Sequence, residues 1–302
     1  KEKGVILEEL KMENDSPEYQ LHETFSSNFW KEEPLGQPIL GTRETIQGFH
    51  RQMVSDYYQS VYTPANLIIT AAGNLSHARM ADLAAKEFGG LQPGTAVPAQ
   101  PTPRTQPHLI LKNKKELEQV QLMLGMPAYP VAHPSRFAAY LLNTLLGGSM
   151  SSRLFQNIRE QRGLVYAVFS EVNAYRDSGC IAVYAGTAKE SLLDVIGLIL
   201  EEFGKMKSDL VTDEEMVRGQ NHLKGSVMLG LESTSSRMSN LARQQLYFGR
   251  FATMDEILSA IESVTAEQVR QVACEFFDAS QLALCALGRL TGLKIPRAKL
   301  KF

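Results

Sequence analysis

Apolar residues recur along this chain with two periods. Spacings of three to four residues predict helices over KEKGVILEELKMEND at the start, over PSRFAAYLLNTLLGG, and in several long segments from Leu192 to about Phe277. Denser apolar runs predict strands over VQLMLGMPAY and QLALCALG, and a pair within LVYAVFSEVNAYRDSGCIAVYAGT that folds back at an Arg-Asp-Ser-Gly turn. Pro134 is placed to start the second helix, and the pair Gly147 and Gly148 to stop it.

The opening helix has an unusual pattern. At about 100° per residue, Glu2, Glu9 and Glu13 share a narrow arc that Val5, Ile6, Leu10 and Met12 flank on both sides. Carboxylates therefore stand where a core-facing stripe belongs. A buried carboxylate is costly unless it is paired, hydrogen-bonded or bound to a metal, so this pattern demands partners for Glu2 and Glu9. A helix at the edge of the fold, with its acids in water, satisfies the pattern equally.

Residues 93–107, PGTAVPAQPTPRTQP, contain five prolines and few large apolar side chains, which marks a linker. The chain also resembles itself across that linker. At a constant offset of 215 residues, Ile46 aligns with Ile261, Val54 with Val269, Tyr62 with Phe277, Leu67 with Leu282 and Gly73 with Gly288. YTPANLIITAAGNL and FFDASQLALCALGRL thus read as the same helix-turn-strand ending of two copies of one domain. The second copy begins near His108, so the first is expected to be short of roughly a hundred residues at its N-terminus. The expected organisation is an α+β fold of two homologous domains, each an antiparallel sheet backed by helices: 1–92 as the closing half of the first, 93–107 as linker, and 108–302 as the second.

Composition narrows the function classes. A formal charge of −2 excludes the strongly basic footprint of a nucleic-acid binder, and no apolar run is long enough to cross a membrane as a helix. Cys180, Cys274 and Cys285 lie in apolar segments without C-x-x-C spacing; they read as buried thiols in a reducing compartment such as the cytoplasm. The six histidines show no metal-ligand spacing, and G-x-S-x-G, P-loop and G-x-G-x-x-G motifs are absent.

Two stretches carry a resemblance. EKGVILEELKMENDSPEY, followed by PLGQPILGT and YTPANLIITAAGNL, is similar to the segment of the M16 peptidases (the family of pitrilysin, insulysin and the mitochondrial processing peptidase) that bears the third zinc ligand. LLGGSMSSRLFQNIREQRGLVYAVFS resembles the signature of that family's second domain. In the family an inverted H-x-x-E-H supplies two histidine ligands and a general base, and a downstream glutamate completes the site. The resemblance maps that ligand onto Glu9 and, seven residues earlier on the same face, a supporting acid onto Glu2 that orients the ligand or a histidine. Glu8 points elsewhere. It also implies that Arg159 and Tyr166 bind the substrate from the second domain.

What the resemblance implies as a whole is a zinc metalloendopeptidase that closes around an extended peptide as a clamshell, as a homodimer or a heterodimer with a family member. Essentially the whole chain takes part, with one departure: the 302 residues contain no H-x-x-E-H, and the matching stretch of the second copy, NTLLG, has no ligands. Glu9 alone is therefore expected neither to hold Zn2+ tightly nor to support hydrolysis. The competing expectation is a non-catalytic family member kept for assembly, such as the partner subunit of a processing peptidase or a core subunit of a respiratory complex. Retention of Glu2 and Glu9, and the lack of a glycine-rich insertion between Leu146 and Met150, favour the catalytic lineage. A helical interaction module unrelated to peptidases leaves the Arg159 and Tyr166 stretch as coincidence.

Overall fold

The computed structural model describes residues 1–98 and 100–302. Its N-terminal third consists of α1 (Glu2–Asp15), α2 (Pro17–Phe29), α3 (Arg43–Gly48), α4 (Arg51–Val61) and α5 (His77–Phe88). From there the chain runs through β1 (Leu109–Asn113), β2 (Val120–Pro127), α6 (Arg136–Leu146), a π-helical turn at Phe155–Glu160, β3 (Val165–Ala174) and β4 (Gly179–Thr187). Helices α7 (Leu192–Ser208), α8 (Asp213–Gly230), α9 (Thr234–Phe248), α10 (Met254–Glu262) and α11 (Ala266–Phe276) lead to the closing strand β5 (Ala283–Gly288). Reciprocal capping boxes at Thr212 and Glu215, Thr253 and Glu256, and Thr265 and Gln268 set three of these helix starts, because each pair satisfies two otherwise orphaned backbone donors. Helix α6 starts at Arg136, two residues beyond the proline expected to open it, with Ser135 at its N-cap.

The five strands form one mixed sheet in the order β1-β5-β2-β4-β3, in which only β1 and β5 run parallel. Both faces are buried, and the strand period of two divides each strand between two cores. Leu122 and Leu124 of β2, Ile181 and Val183 of β4, and Leu284 of β5 meet the layer built from α6, α7 and α11. Met123, Ala182, Tyr184 and Cys285 face the other way, onto Leu21, Phe25, Phe29 and Trp30. Residues 17–30 therefore precede the proline-rich segment yet cover the sheet that follows it. Trp30 Nε1 ties the two parts further by donating to Ser178 Oγ at 3.1 Å.

Helix for helix, the sequence repeat has a structural counterpart. Shifted by 215 residues, the bounds of α4 coincide with those of α11, and the 3-10 turn Pro64–Asn66 coincides with Ala279–Gln281. Gly73 (φ 140°) and Gly288 (φ 155°) both take a positive φ that favours glycine. The strand expected in the first copy does not form. Leu67–Ala72 follows an unpaired path, whereas β5 lies between β1 and β2 and is hydrogen-bonded on both sides. A strand needs a neighbour to pair with, and among the described residues Leu67–Ala72 has none.

Two other expectations are corrected. No residue of α1 is buried; Ile6, Leu7 and Leu10 are only partly covered, and Val5 and Met12 are exposed. Cys180 and Cys285 are buried as expected, but Cys274 is exposed, its Sγ 3.6 Å from Lys207 O.

Candidate functional site

The stretch that runs from the end of α6 into the first residues of β3 is built irregularly, and it carries both residues that the resemblance puts on the substrate. After Leu154 the helix widens into a π turn, closed by Gln161 N donating to Gln156 O five residues back at 3.0 Å. Arg159 lies in this turn, exposed, with its guanidinium 5.0 Å from the Phe155 ring centroid. Gly163 (φ 62°) then reverses the chain, with its N–H bonded to Arg159 O, and β3 begins two residues later.

Tyr166 stands at the next irregularity. Val165 pairs with Thr187 and Ala167 with Gly186, so Tyr166 is the extra residue of a β-bulge on the edge strand β3. A bulge turns its side chain away from the regular alternation. Tyr166 is 64% exposed on a strand whose neighbours Val165 and Val168 are buried. Close packing fixes the base of the segment: a Cβ on Gly147 would lie 2.5 Å from Ser170 N, and Ser170 N in turn donates to Gly147 O.

Buried and half-buried polar groups pin this segment to the helices behind it. Arg153 makes a bidentate pair with Glu215 at 2.8 and 2.9 Å. The Arg153 hydrogen bonds hold the Glu215 carboxyl down at about 2, with help from the Thr212 backbone N–H and against the cost of burial. Asn157 Nδ2 donates at 2.9 Å to Oε1 of Glu202, which is only 4% exposed and also accepts from Lys205 at 3.1 Å. Arg162 Nη1 donates to Asn157 O at 3.1 Å. Among the described residues, the Arg159 guanidinium and the Tyr166 hydroxyl thus make no hydrogen bond, while the backbone that carries them is fixed.

Glu2 and Glu9 are placed differently. Both lie on the exposed side of α1, and neither is paired among the described residues. Glu8 is held by Lys11 at 2.7 Å. Of the two readings open for α1, a partnered buried acid face and an edge helix with its acids in water, the structure shows the second: the partly covered side of α1 is Ile6, Leu7, Leu10 and Glu13, facing α2 and α3. Glu9 is near enough to Tyr19 to contribute, after burial and the charges of Glu23 and Glu13, to raising the Tyr19 pKa. Among the described residues no three His, Cys, Asp or Glu side chains converge to hold a metal. One exposed glutamate is not a zinc site, so the residues present do not fit that ion by themselves.

The pinning residues were legible only in part. Thr212-x-x-Glu215 is a visible capping box, yet nothing in the sequence shows that Glu215 also grips Arg153. Glu202, by contrast, sits in the apolar run LLDVIGLILEEF, where an acid at a core position signals a required partner.

Comparison with known proteins gives a consistent picture. The family model described as the peptidase M16 inactive domain matches residues 48–223, a span that crosses the proline-rich segment. A protein of Bacillus subtilis named as an uncharacterized zinc protease is 37% identical over 277 residues, 92% of this chain and 67% of that protein. One of Streptomyces coelicolor with the same description is 36% identical over 90% of this chain and 61% of its own length. The chain thus spans about three fifths to two thirds of these relatives. Among solved structures, a peptidase M16 inactive domain from Pseudomonas fluorescens superposes with a TM-score of 0.89 over 97% of this chain and 71% of that one, at 20% identity. A chain of complex III2 from Candida albicans gives 0.88 over 99% and 74%, at 16% identity.

Proposed function

The chain belongs to the M16 peptidase family, and we propose that it is the substrate-holding portion of a zinc metalloendopeptidase. The observation that carries this is the coincidence of Arg159 with a π turn and of Tyr166 with a β-bulge, both exposed and both anchored from behind. Such irregularities cost stability and recur where a side chain must be aimed. The Arg159 guanidinium donates to carbonyls of an extended peptide. The Tyr166 hydroxyl donates to the substrate oxygen on which negative charge develops. Fixed donors of this kind need no reorganisation as the reaction proceeds, so they act on rate as well as on binding.

In the intact protein, as we propose it, Glu9 would contribute one carboxylate to zinc and Glu2 would orient it, and the site would need further ligands that these residues do not supply. The proline-rich segment 93–107 divides two family domains. The apolar side of α4 and the extended stretch after it, with Val54, Tyr57, Ile68 and Ile69 all exposed, is the surface that a further part of the first domain covers.

The test is hydrolysis of a fluorogenic peptide by the intact protein, with metal analysis, for wild type, Glu9→Gln and Glu8→Gln. Zinc content and activity should fall together in Glu9→Gln and stay near wild type in Glu8→Gln. Equal behaviour of the two variants removes the ligand assignment. A specific observation also favours a second function, an assembly role without catalysis: Glu2 and Glu9 are solvated and unpaired among the described residues. An intact protein that binds zinc poorly and cleaves no peptide, yet forms a stable complex with a family member, selects it.

A further inference from the structure

At the opposite end of β3 from Tyr166 lies a cavity of about 790 Å³ between α6, α9 and the Val172–Tyr175 stretch. Its charged lining residues are Arg136, Arg243 and Arg250, with no carboxylate among the residues that form it. Arg250 reaches Glu256 at 3.6 Å, and among the described residues Arg136 and Arg243 have no acidic partner. Arg136 is held over two aromatic faces, 4.5 Å from the Phe137 centroid and 4.9 Å from that of Phe248. Among the described residues its side chain makes one hydrogen bond, from Nη1 to His133 O at 3.4 Å, which leaves most of its donor fork free. Gln244 is 5% exposed in the cavity wall; its Oε1 accepts from Ala252 N, while Nε2 is buried without a partner. Tyr247 and Tyr175 add aromatic walls.

We propose that this cavity binds an organic anion with an aromatic body, the anionic group on the Arg136 and Arg243 guanidiniums and the ring among Phe248, Tyr247 and Tyr175. A stacked guanidinium loses little freedom on meeting a carboxylate or phosphate, and it binds either in a bidentate manner. The electrostatics agree with this geometry. Burial lowers the Arg136 pKa, Tyr140 acts against that shift and the like charge on Arg250 adds to it, and the opposite charge of an anion would offset both the burial and the repulsion. The site does not depend on peptide hydrolysis and is distinct from the Arg159 and Tyr166 face.

Isothermal titration of the chain with N-acetyl-phenylalaninate and with AMP tests the proposal and distinguishes a peptide carboxylate from a nucleotide phosphate. N-acetyl-phenylalanine amide, adenosine and inorganic phosphate serve as controls. At least one anion should bind roughly tenfold or more tighter than both its neutral counterpart and inorganic phosphate, and Arg136→Gln should lose at least roughly tenfold of that affinity. Arg243 is exposed, so Arg243→Gln should keep the wild-type circular dichroism spectrum and weaken binding in the same direction even where Arg136→Gln disturbs folding. Equal binding of charged and neutral probes, no binding of either anion, or unchanged affinity in Arg243→Gln overturns it.

Discussion

Tyr62 and Phe277 close the same turn with the same backbone, φ −83° and ψ 68° in one, φ −87° and ψ 71° in the other, yet Phe277 is fully buried and Tyr62 is 50% exposed. Phe277 stacks on Phe203 with centroids 4.5 Å apart and joins the core beneath the sheet. Local sequence is sufficient for the turn, and only long-range packing distinguishes the two copies.

That difference predicts unequal stability effects. Phe277→Ala should cost about 3–5 kcal/mol, the usual penalty for emptying a buried aromatic site. Tyr62→Ala at the matching position should cost about 1 kcal/mol or less, because it leaves no cavity. Urea denaturation of the two variants checks this. Comparable losses would mean that Tyr62 is covered in solution.

Acid should act through the Arg153–Glu215 pair. Folding holds Glu215 at about 2, below its ordinary value of 4.5, so the folded state favours the charged carboxylate. The stability this contributes is fully present above about pH 4.5 and is lost as pH falls from there toward 2. Denaturation curves of wild type and Glu215→Gln should therefore converge as pH is lowered through that window and be furthest apart near neutrality. At pH 7, Arg153→Met should cost about 1–3 kcal/mol by leaving a half-buried carboxylate without its partner. A constant gap between wild type and Glu215→Gln from pH 7 to 3 would show that the pair contributes no charge-dependent stability.

How much of this was visible in the sequence follows from what each feature needs. The strands after Val120 and the long helices were legible, because burial imposes periods of 2 and 3.6 on their residues. The missing strand at Leu67–Ala72 was not, since β-pairing depends on a neighbour rather than on the segment. The misplaced face of α1 has a similar origin: with apolar residues on both sides of the acid arc, contact with α2 and α3 selects Ile6, Leu7 and Leu10, and no local rule fixes that choice. The π turn and the bulge depend on Gly163, on Glu202 and on the register with β4, and so only the resemblance pointed to Arg159 and Tyr166.

Thiol chemistry gives a rapid check on the packing. Cys180 and Cys285 are buried, and burial raises both thiols, Cys285 to about 12, so neither offers an accessible thiolate near neutral pH. Cys274 is exposed. Titration of the native chain with an aromatic disulfide reagent at pH 8 should release one equivalent rapidly, and Cys274→Ser should abolish that phase, while denaturant exposes the other two. A second rapid equivalent would mean that the α2 layer does not cover the sheet in solution.

The last prediction separates binding of substrate from binding of metal in the intact protein. Tyr166 projects from a bulge and Arg159 from a π turn, and both belong to a segment pinned through Asn157, Glu202, Arg153 and Glu215. On the proposed role, the Tyr166 hydroxyl meets the substrate oxygen only as charge develops and contributes little to ground-state affinity, so Tyr166→Phe should lower kcat by about 10²–10³ with KM nearly unchanged. Arg159, proposed to donate in both states, should on replacement by alanine raise KM as well as lower kcat. Because both side chains are exposed, neither change should alter the melting temperature appreciably or the zinc content. Asn157→Ala supplies the control for aim: it keeps Arg159 but frees the π turn, so KM should rise while amide exchange at Gln161 and Gly163 speeds up. Steady-state cleavage, metal analysis and hydrogen exchange read these effects separately. Unchanged kcat in Tyr166→Phe would leave the bulge without a catalytic purpose, and zinc loss in Arg159→Ala would mean that this segment supports the metal rather than the peptide.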